Sequence, residues 1–398
     1  MNKNNKPAPS RVRPFEKTQV NTPFWLKKII GRDLAPNQYE YEKVIEALQY
    51  GDPAMDRLVN WIFEADSKHR KQLVELAITT GDQGLSDYPE EIQQFFATLE
   101  KPPQWIDMNL VEEGIEFIHG LGSAAGYVLR DLALMGGYML SGFNQTLLMT
   151  GALSKGTNKR IAETARWWLD CTETQAMDPF HKGYKSTLQV RLIHGMVRHG
   201  LSNRPDWDHQ VWGIPINQID MVATYLGFSS VMLGGLRKLG IPILPRESKA
   251  VMHHWAYVCW LMGVEEKWLV KSETEGLVLL NHTYMTQSKP NESSKQLAKA
   301  LSDEPLQRHY PHLQNLRRII AYQQHLGMSH YFLGKDNMVK LGFEDLGIPW
   351  FPLATNIPRM MHYSVYRVAP GLRKRQKIKG RQQQLAFLNT TPVGVDES

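Results

Sequence analysis

Three side chains with different chemistry share one predicted helical face near the middle of the sequence. In the segment RIAETARWW, Arg160, Glu163 and Thr164 stand at positions i, i+3 and i+4. Residues three and four apart lie on the same side of a helix, so a guanidinium, a carboxylate and a hydroxyl are presented together. These three groups could take part in catalysis. They are also the make-up of an ordinary helical ion pair beside a hydroxyl bonded to the preceding turn.

A second segment places one histidine between two cations. In VRLIHGMVRH, Arg191, His194 and Arg198 again follow helical spacing, and the residues next to His194 are mostly apolar. A buried imidazole beside positive charges is expected to stay neutral, which leaves a nitrogen lone pair free to bind a metal. Haem iron needs only one such ligand, and arginines are natural partners for haem propionates. The alternative is that His194 is a core residue with an ordinary hydrogen-bond partner.

Other metal-binding patterns in the sequence are weak. Cys171 and Cys259 are far apart and form no CxxC motif, which argues against a disulfide framework, a cysteine-rich zinc site and c-type haem attachment. The ExxH motif at 116–119 suggests a helical di-iron site, but that class needs the motif twice and the sequence has one copy. The adjacent pair His253–His254 would point about 100° apart on a helix, so the two rarely share one metal.

Helices must position these residues, and the chain is predicted to be all-α. Apolar residues recur at three-and-four spacing, whereas strand-like alternation bounded by turn residues is missing. Dense glycines between positions 120 and 137 indicate kinks, helix ends or close approach of the backbone to a flat group. Helices are expected within 37–99 and at 159–177, 185–199, 216–239, 247–263, 265–285, 292–302, 307–327 and 334–342.

The composition is that of a folded protein large enough to enclose a cofactor. Of 398 residues, 42% are hydrophobic and 22% are charged, which excludes disordered and fibrous classes. We expect an extended basic N-terminal arm over 1–35, a helical haem-binding domain over 36–345, and a basic C-terminal segment and tail over 346–398. The last ~20 residues are expected to be disordered, since they are polar and low in aromatics.

The net charge of +6 originates at the two ends of the chain. Residues 1–33 and 359–398 each have a net charge of +6, whereas the rest of the chain has −6. Charge confined to the ends indicates solvated tails or contact with an anionic membrane surface, and it does not favour nucleic acid as a partner. The basic stretch Arg367–Arg381 is the expected membrane contact.

The sequence favours a cytoplasmic location, either free or peripheral at the inner face of a membrane. The positively charged N-terminal residues are not followed by an apolar stretch, so no export signal is predicted. The longest uncharged run, Leu132 to Ser154, contains glycines and polar side chains. These suit buried helices around a cavity better than a helix facing lipid.

The order and spacing of several motifs resemble the MpaB-type oxygenase family, which includes the latex-clearing rubber oxygenases and the fungal MpaB enzyme of mycophenolic acid biosynthesis. The resemblance covers about residues 105–300, with a weaker part to about 375. Its motifs are RIAETARW at 160–167, VRLIHGMVR at 190–198, Trp212 with GIPINQIDMVATYLGF at 213–228, HHWAYVCWLMGV at 253–264 and IPRMMHYSVYRVAPGLRKRQ at 357–376.

The resemblance implies a globin-like helical core that holds b-type haem. His194 matches the family's proximal iron ligand, and Arg160 and Thr164 match residues on the distal side. Glu163 stands where the rubber oxygenases have a lysine able to cap the iron, so that closed form is not expected here. Asn144 stands where they have a glutamate proposed as catalytic base. An amide takes no proton at neutral pH, so either Glu163 supplies the carboxylate or no base is needed.

The leading hypothesis is a haem b oxygenase that uses O2 to cleave a carbon–carbon double bond in an apolar, isoprenoid or lipid-like substrate. By resemblance, Arg160 and Thr164 act on the oxygen, and the run 132–154 lines the substrate channel. The alternative is a non-catalytic helical protein that binds haem or another hydrophobic ligand. The two hypotheses differ at Arg160, whose removal would abolish turnover only in an oxygenase.

Overall fold

The protein is built from helices in two compact units. The computed structural model describes residues 7–81, 84–100, 102–151 and 156–390. Every regular element in these ranges is helical and none is a strand, so the predicted all-α fold is confirmed. The first unit comprises Met1–Glu112, Asp170–Tyr225 and His253–Ser288, and the second comprises Glu113–Leu169, Leu226–Met252 and Lys289–Ser398.

The helices follow one another with short connections. Short 3-10 turns lie at Phe15–Thr18, Leu85–Asp87, Glu266–Trp268 and Glu304–Gln307, and π-helical turns lie at Leu129–Leu134 and Gly227–Val231. The α-helices, in chain order, are α1 Phe24–Ile30, α2 Gln38–Ala47, α3 Pro53–Glu64, α4 Ser67–Thr80, α5 Glu90–Ala97, α6 Met108–Gly120, α7 Ser123–Val128, α8 Met135–Gly137, α9 Ser141–Met149, α10 Thr157–Cys171, α11 Lys182–Ser202, α12 His209–Trp212, α13 Gln218–Leu226, α14 Met232–Lys238, α15 Pro245–Leu261, α16 Glu273–Met285, α17 Glu292–Asp303, α18 Gln314–Leu333, α19 Lys335–Lys340, α20 Trp350–Val368 and α21 Pro370–Leu388.

In the first unit, α3 and α11 pack closely, and local sequence explains why. Asp52 caps α3 by accepting a hydrogen bond from the Met55 N–H, and Pro53 occupies the first helical turn, where its missing donor costs nothing. A Cβ atom on Gly195 of α11 would lie 2.7 Å from Met55 Cγ. Only glycine at this position therefore allows the two helices their present separation.

In the second unit, the two π-helical turns pack against each other. The turn at Leu129–Leu134 places Arg130 and Asp131 in the interior, where both are buried. A separate apolar cluster joins α8, α17 and α19. A π-helical turn shifts the side chains that follow it around the helix, and such turns occur frequently at functional sites.

Several predicted helix boundaries differ from the structure for local reasons. The helix predicted over 159–177 ends at Cys171, and the chain then turns with Gln175 at a φ of 58°. The helix predicted over 265–285 begins at Glu273, because Ser272 caps it. The helix predicted over 307–327 begins at Gln314 and continues to Leu333.

The sequence predicted an extended N-terminal arm, and the structure differs from this prediction in two ways. The arm contains α1, and it is attached to the rest of the first unit by a buried salt bridge. The Arg11 guanidinium lies 2.9 Å from the Asp220 carboxylate, and both side chains are almost fully enclosed. The charge at this end of the chain is therefore partly structural and not only solvated.

The predicted disorder at the C-terminus is wrong as far as Leu388, where α21 ends. The helix is held within the second unit by polar contacts to backbone carbonyls. Arg381 donates to the Leu169 oxygen at 2.7 Å, and Gln384 donates to the Ile118 oxygen at 2.8 Å. The final residues 391–398 lie outside the described ranges.

One helical stretch of the described chain is long enough to span a membrane. Residues Gln218–Lys238 are long and apolar enough to cross a bilayer, but 67% of their most apolar window is buried inside the protein. A buried core helix has the same composition, so this is weak evidence for a span. The uncharged run from Leu132 is divided between short helices up to Met149, and residues 152–155 are outside the described ranges.

Candidate functional site

His194 lies on a face of α11 that the described protein leaves partly uncovered. Val190, His194 and Val197 are only partly buried, and Ile193 is 56% exposed. Their spacing of three and four residues makes them one apolar stripe with the imidazole at its centre. The opposite face of α11 is buried, so the helix is fixed on one side and open on the other.

The electrostatic environment of His194 keeps it neutral. Burial and the positive charge of Arg198 lower the pKa of the imidazole to about 4. Its Nδ1 atom is fully enclosed and has no hydrogen-bond partner among the described residues. A neutral imidazole set in a partly uncovered apolar helix face fits the chemistry of a haem-iron ligand, which needs an unprotonated nitrogen.

Arg191 and Arg198 flank His194 on the buried side of α11, and each has a carboxylate partner. Arg191 makes two contacts with Asp52, at 2.5 and 2.9 Å, and donates to the Leu261 oxygen at 3.0 Å. Arg198 donates to Asp56 at 2.7 Å. These pairs hold α11 to α3. Binding of propionates by the two arginines stays a prediction.

In the second unit, Arg160 and Asn144 converge on Tyr138. Burial raises the pKa of the Tyr138 hydroxyl, and the nearby Arg160 guanidinium opposes that rise. The Asn144 side chain is fully buried, and its Nδ2 donates to the Tyr138 carbonyl at 2.7 Å and to Ser294 Oγ at 3.2 Å. Asn144 Oδ1 is enclosed without a partner among the described atoms. Arg160 therefore acts on the hydroxyl of Tyr138, and Asn144 bonds to the backbone carbonyl of the same residue.

Glu163 and Thr164 lie on the exposed part of α10. Glu163 pairs with Lys159, one turn earlier, at 4.0 Å, and more than half of its side chain is exposed. The sequence left open whether Glu163 or Asn144 has a catalytic role. Of the two, Asn144 is the buried one and Glu163 is on the surface of its helix.

Sequence reasoning did not identify Asp52, Asp56 or Tyr138 as residues near the site. Asp52 precedes a proline, which indicates a helix cap, and the sequence contains no signal that it also binds a distant arginine. The pairing of Asp56 is equally long-range. Tyr138 stands in the uncharged run, where an aromatic residue is expected to be core.

Alternative metal sites receive no support within the described ranges. No group of three or more His, Cys, Asp and Glu side chains there could hold a metal ion, whereas haem iron needs one protein ligand. Glu116 of the ExxH motif forms an ion pair with Lys377. His253 accepts a hydrogen bond from the Asp107 N–H at 2.9 Å, so it caps the start of α6.

Comparison with known proteins identifies the family. The family described as "ER-bound oxygenase mpaB/B'/Rubber oxygenase, catalytic domain" matches residues 121–360. The rubber oxygenase of Streptomyces sp. (strain K30) is 26% identical over 201 residues, which cover 48% of this chain and 47% of that protein. The chain thus aligns with about half the length of this curated relative.

The fold is also shared with a solved structure. The latex clearing protein LCP in the closed state matches with a TM-score of 0.69 and 17% identity, over 86% of this chain and 91% of that chain. All seven candidate residues, from Asn144 to Arg198, lie within the segment that matches the family. Because that segment covers more than half of the sequence, the chain belongs to the family of mpaB-type and rubber oxygenase catalytic domains.

Proposed function

We propose that this protein is a haem b-dependent oxygenase that uses O2 to cleave a carbon–carbon double bond in an apolar, isoprenoid or lipid-like substrate. The observation that supports this most is the state of His194. Its imidazole is neutral, its Nδ1 has no hydrogen-bond partner among the described residues, and it lies at the centre of a partly uncovered apolar helix face. Membership of an oxygenase family supplies the reaction class.

His194 would be the protein ligand of the haem iron. When bound, haem would supply the redox chemistry that activates O2. The apolar stripe around Ile193 would contact the flat macrocycle and exclude water from it. The low pKa of His194 means that protons do not compete for its lone pair at neutral pH.

Arg160, Thr164 and Asn144 would act on the oxygen and the substrate. Arg160 is a permanent cation with several N–H donors, so it can stabilise negative charge that develops during the reaction. Thr164 offers a hydroxyl that donates or accepts. Asn144 cannot take up a proton, and the Glu163 carboxylate is paired with Lys159, so we propose that cleavage proceeds without a carboxylate base from either position. Asn144 instead would position Tyr138, and through it Arg160.

The visible spectrum of the purified protein tests the cofactor. Protein from haem-supplemented cells is expected to show a Soret band, and His194→Ala is expected to lose most of it. His199→Ala is the matched control, because His199 lies on the same helix and its Nδ1 is 3.1 Å from Asn60. Added imidazole should restore the band in His194→Gly. An unchanged band in His194→Ala would contradict the assignment.

Oxygen uptake tests the reaction. With a polyisoprenoid such as squalene, the wild-type protein is expected to consume O2 and release carbonyl products. Arg160→Ala should keep the Soret band and lose turnover by about 10²-fold or more, the effect of removing one strong donor from a developing charge. A haem-loaded wild type that consumes no O2 with any alkene would instead identify a non-catalytic haem- or ligand-binding protein.

A further inference from the structure

Three helices of the second unit contain no acidic residue. Neither Asp nor Glu occurs in α18, α20 or α21, whereas they contain two, two and six Lys or Arg residues respectively. Both α18 and α21 pack against α20. The protein outside its two ends is acidic overall, so this group of helices has a charge opposite to that of its surroundings.

Helix α20 has an apolar face that nothing in the described protein covers. Its exposed large side chains recur every three or four residues along the whole helix, and their exposed fractions range from 46% to 81%. Few polar side chains interrupt this face. The exposed apolar residues are Trp350, Leu353, Ile357, Met360, Met361, Val365 and Val368. A continuous apolar surface of this kind marks an interaction site, because water solvates it poorly.

The outward face of α21 combines cations with apolar side chains. Lys374, Arg375 and Lys379 are exposed, as are Ile378 and Leu385 on the same side of the helix. None of the three cations has a carboxylate partner among the described residues. The opposite side of α21 is closely packed, since a Cβ atom on its glycine at position 380 would overlap a backbone oxygen of α6. The cations are therefore held on a rigid helix and not on a loose tail.

The two faces adjoin. Helices α20 and α21 pack against each other. Partial burial lowers the pKa of His362 on α20, and the positive charge of Lys379 on α21 lowers it further, which agrees with that packing. His362 stands at the edge of the apolar face of α20, so cations of α21 border that face directly.

We infer that α20 and α21 form a docking surface for an anionic phospholipid bilayer. The apolar face of α20 would lie in the region between headgroups and acyl chains, and the α21 cations would contact lipid phosphates and carboxylates, as in interfacial amphipathic helices. Trp350, at the start of α20, is a residue type that favours this interface. The surface lies within one compact unit and does not depend on haem.

Other occupants fit the same surface less well. A second copy of this chain would bring the cations of two α21 helices together without any carboxylate on these helices, and the like charges would repel. A nucleic acid would satisfy the cations but would leave the long aliphatic face of α20 without a partner, because phosphate contacts supply most of non-specific nucleic-acid binding. A bilayer with anionic lipids satisfies both parts.

Co-sedimentation of the full-length protein with vesicles tests the inference. Binding is expected to vesicles of phosphatidylcholine with phosphatidylserine, and to be much weaker with phosphatidylcholine alone or at high salt. The triple variant Lys374→Ala, Arg375→Ala, Lys379→Ala should bind roughly a hundredfold more weakly, since each surface cation contributes about fivefold.

The apolar face is tested separately. Ile357→Glu combined with Met361→Glu should abolish binding to the anionic vesicles, and brominated lipids should quench less fluorescence in Trp350→Phe than in the wild type. Leu76→Glu is the control, because Leu76 is 51% exposed on α4 of the other unit. Its vesicle binding should equal that of the wild type.

Three results would overturn the inference. The first is a wild type that does not bind anionic vesicles, and the second is a glutamate double variant that binds them as the wild type does. The third is lipid-free self-association that the double variant abolishes, which would make this face a contact between copies. Because no readout uses haem or O2, failure here is distinguishable from failure of the proposed oxygenase function.

Discussion

Two histidines, one in each unit, have the same protonation state and opposite surroundings. Burial, with help from nearby arginines, lowers the pKa of both His194 and His325 to about 4. His325 is 8% exposed, and its Nδ1 lies 2.7 Å from Asp131 Oδ2. His194 has no partner for its enclosed Nδ1 within the described structure. A lowered pKa alone therefore does not distinguish a metal ligand from a core residue. The two histidines differ instead in whether the imidazole has a hydrogen-bond partner.

The surroundings of His325 form a closed network. Arg130 contacts Asp131 at 2.5 Å and Glu304 at 3.1 Å, and Arg308 contacts Glu304 at 2.7 Å. The two arginines hold the pKa of Glu304 at about 2, against the opposing effect of burial. All these groups lie within the second unit, where they join the π-helical turn to α18. His325 is therefore held by a carboxylate of its own unit, whereas His194 Nδ1 has no hydrogen-bond partner among the described residues.

The strongest test of this contrast is Asp131→Ala. It would leave His325 without its carboxylate and the buried Arg130 and Arg308 with only Glu304 between them. The free energy of unfolding of the haem-free protein should therefore fall by about 3–5 kcal/mol. His194→Ala should change it by less than ~1 kcal/mol, since no hydrogen bond to Nδ1 is lost. Urea denaturation of both variants measures the difference. Equal destabilisation by the two substitutions would contradict the proposed difference between the surroundings of His194 and those of His325.

Arg191→Ala tests whether Arg191 mainly stabilises the fold or binds a haem propionate. Removing the guanidinium leaves the buried carboxylate of Asp52 unpaired, so the haem-free protein should lose about 3 kcal/mol of unfolding free energy. Haem titration of the variant is the second measurement. If stability is unchanged and only haem affinity falls, Arg191 binds propionate, as the sequence suggested, and does not serve mainly to hold α11.

The pH dependence of the unfolding free energy tests the lowered pKa of His325. The pKa of His325 is about 6.5 when unfolded and about 4 when folded, so the unfolded state binds more protons between these values. Its contribution is complete above pH 6.5 and is lost as pH falls towards 4, with an effect of about 3 kcal/mol. His325→Asn cannot titrate, so its unfolding free energy should decrease less over this window. An identical slope in wild type and variant would show that His325 titrates normally.

The smallest effect is expected for Glu163→Gln. The carboxylate is exposed and its partner Lys159 lies 4.0 Å away, so unfolding free energy should change by less than ~0.5 kcal/mol. Turnover of the haem-loaded enzyme should also stay close to that of the wild type. A large loss of turnover with unchanged stability would restore Glu163 as the catalytic carboxylate.

Prediction from the sequence was most accurate where the chemistry is local. Helical spacing placed Arg191, His194 and Arg198 on one helix, and the structure has them on α11. The neutral state expected of His194 agrees with its lowered pKa. The exposed apolar face of α20 was not predicted, because an apolar stripe at helical spacing is equally typical of a helix that faces the core, and only the packed structure leaves it uncovered.

Spacing along the chain was enough to predict the all-α fold class and the resemblance to the family, because both depend on local patterns. The tertiary structure decided which polar groups are satisfied. Asp52 is 139 positions from Arg191, and Asp131 is 194 positions from His325. Pairings at such distances follow from how helices pack, because a buried charge must find its partner wherever the fold brings one. Only the packed structure therefore shows that His325 is paired with Asp131 and that His194 Nδ1 has no such partner among the described residues.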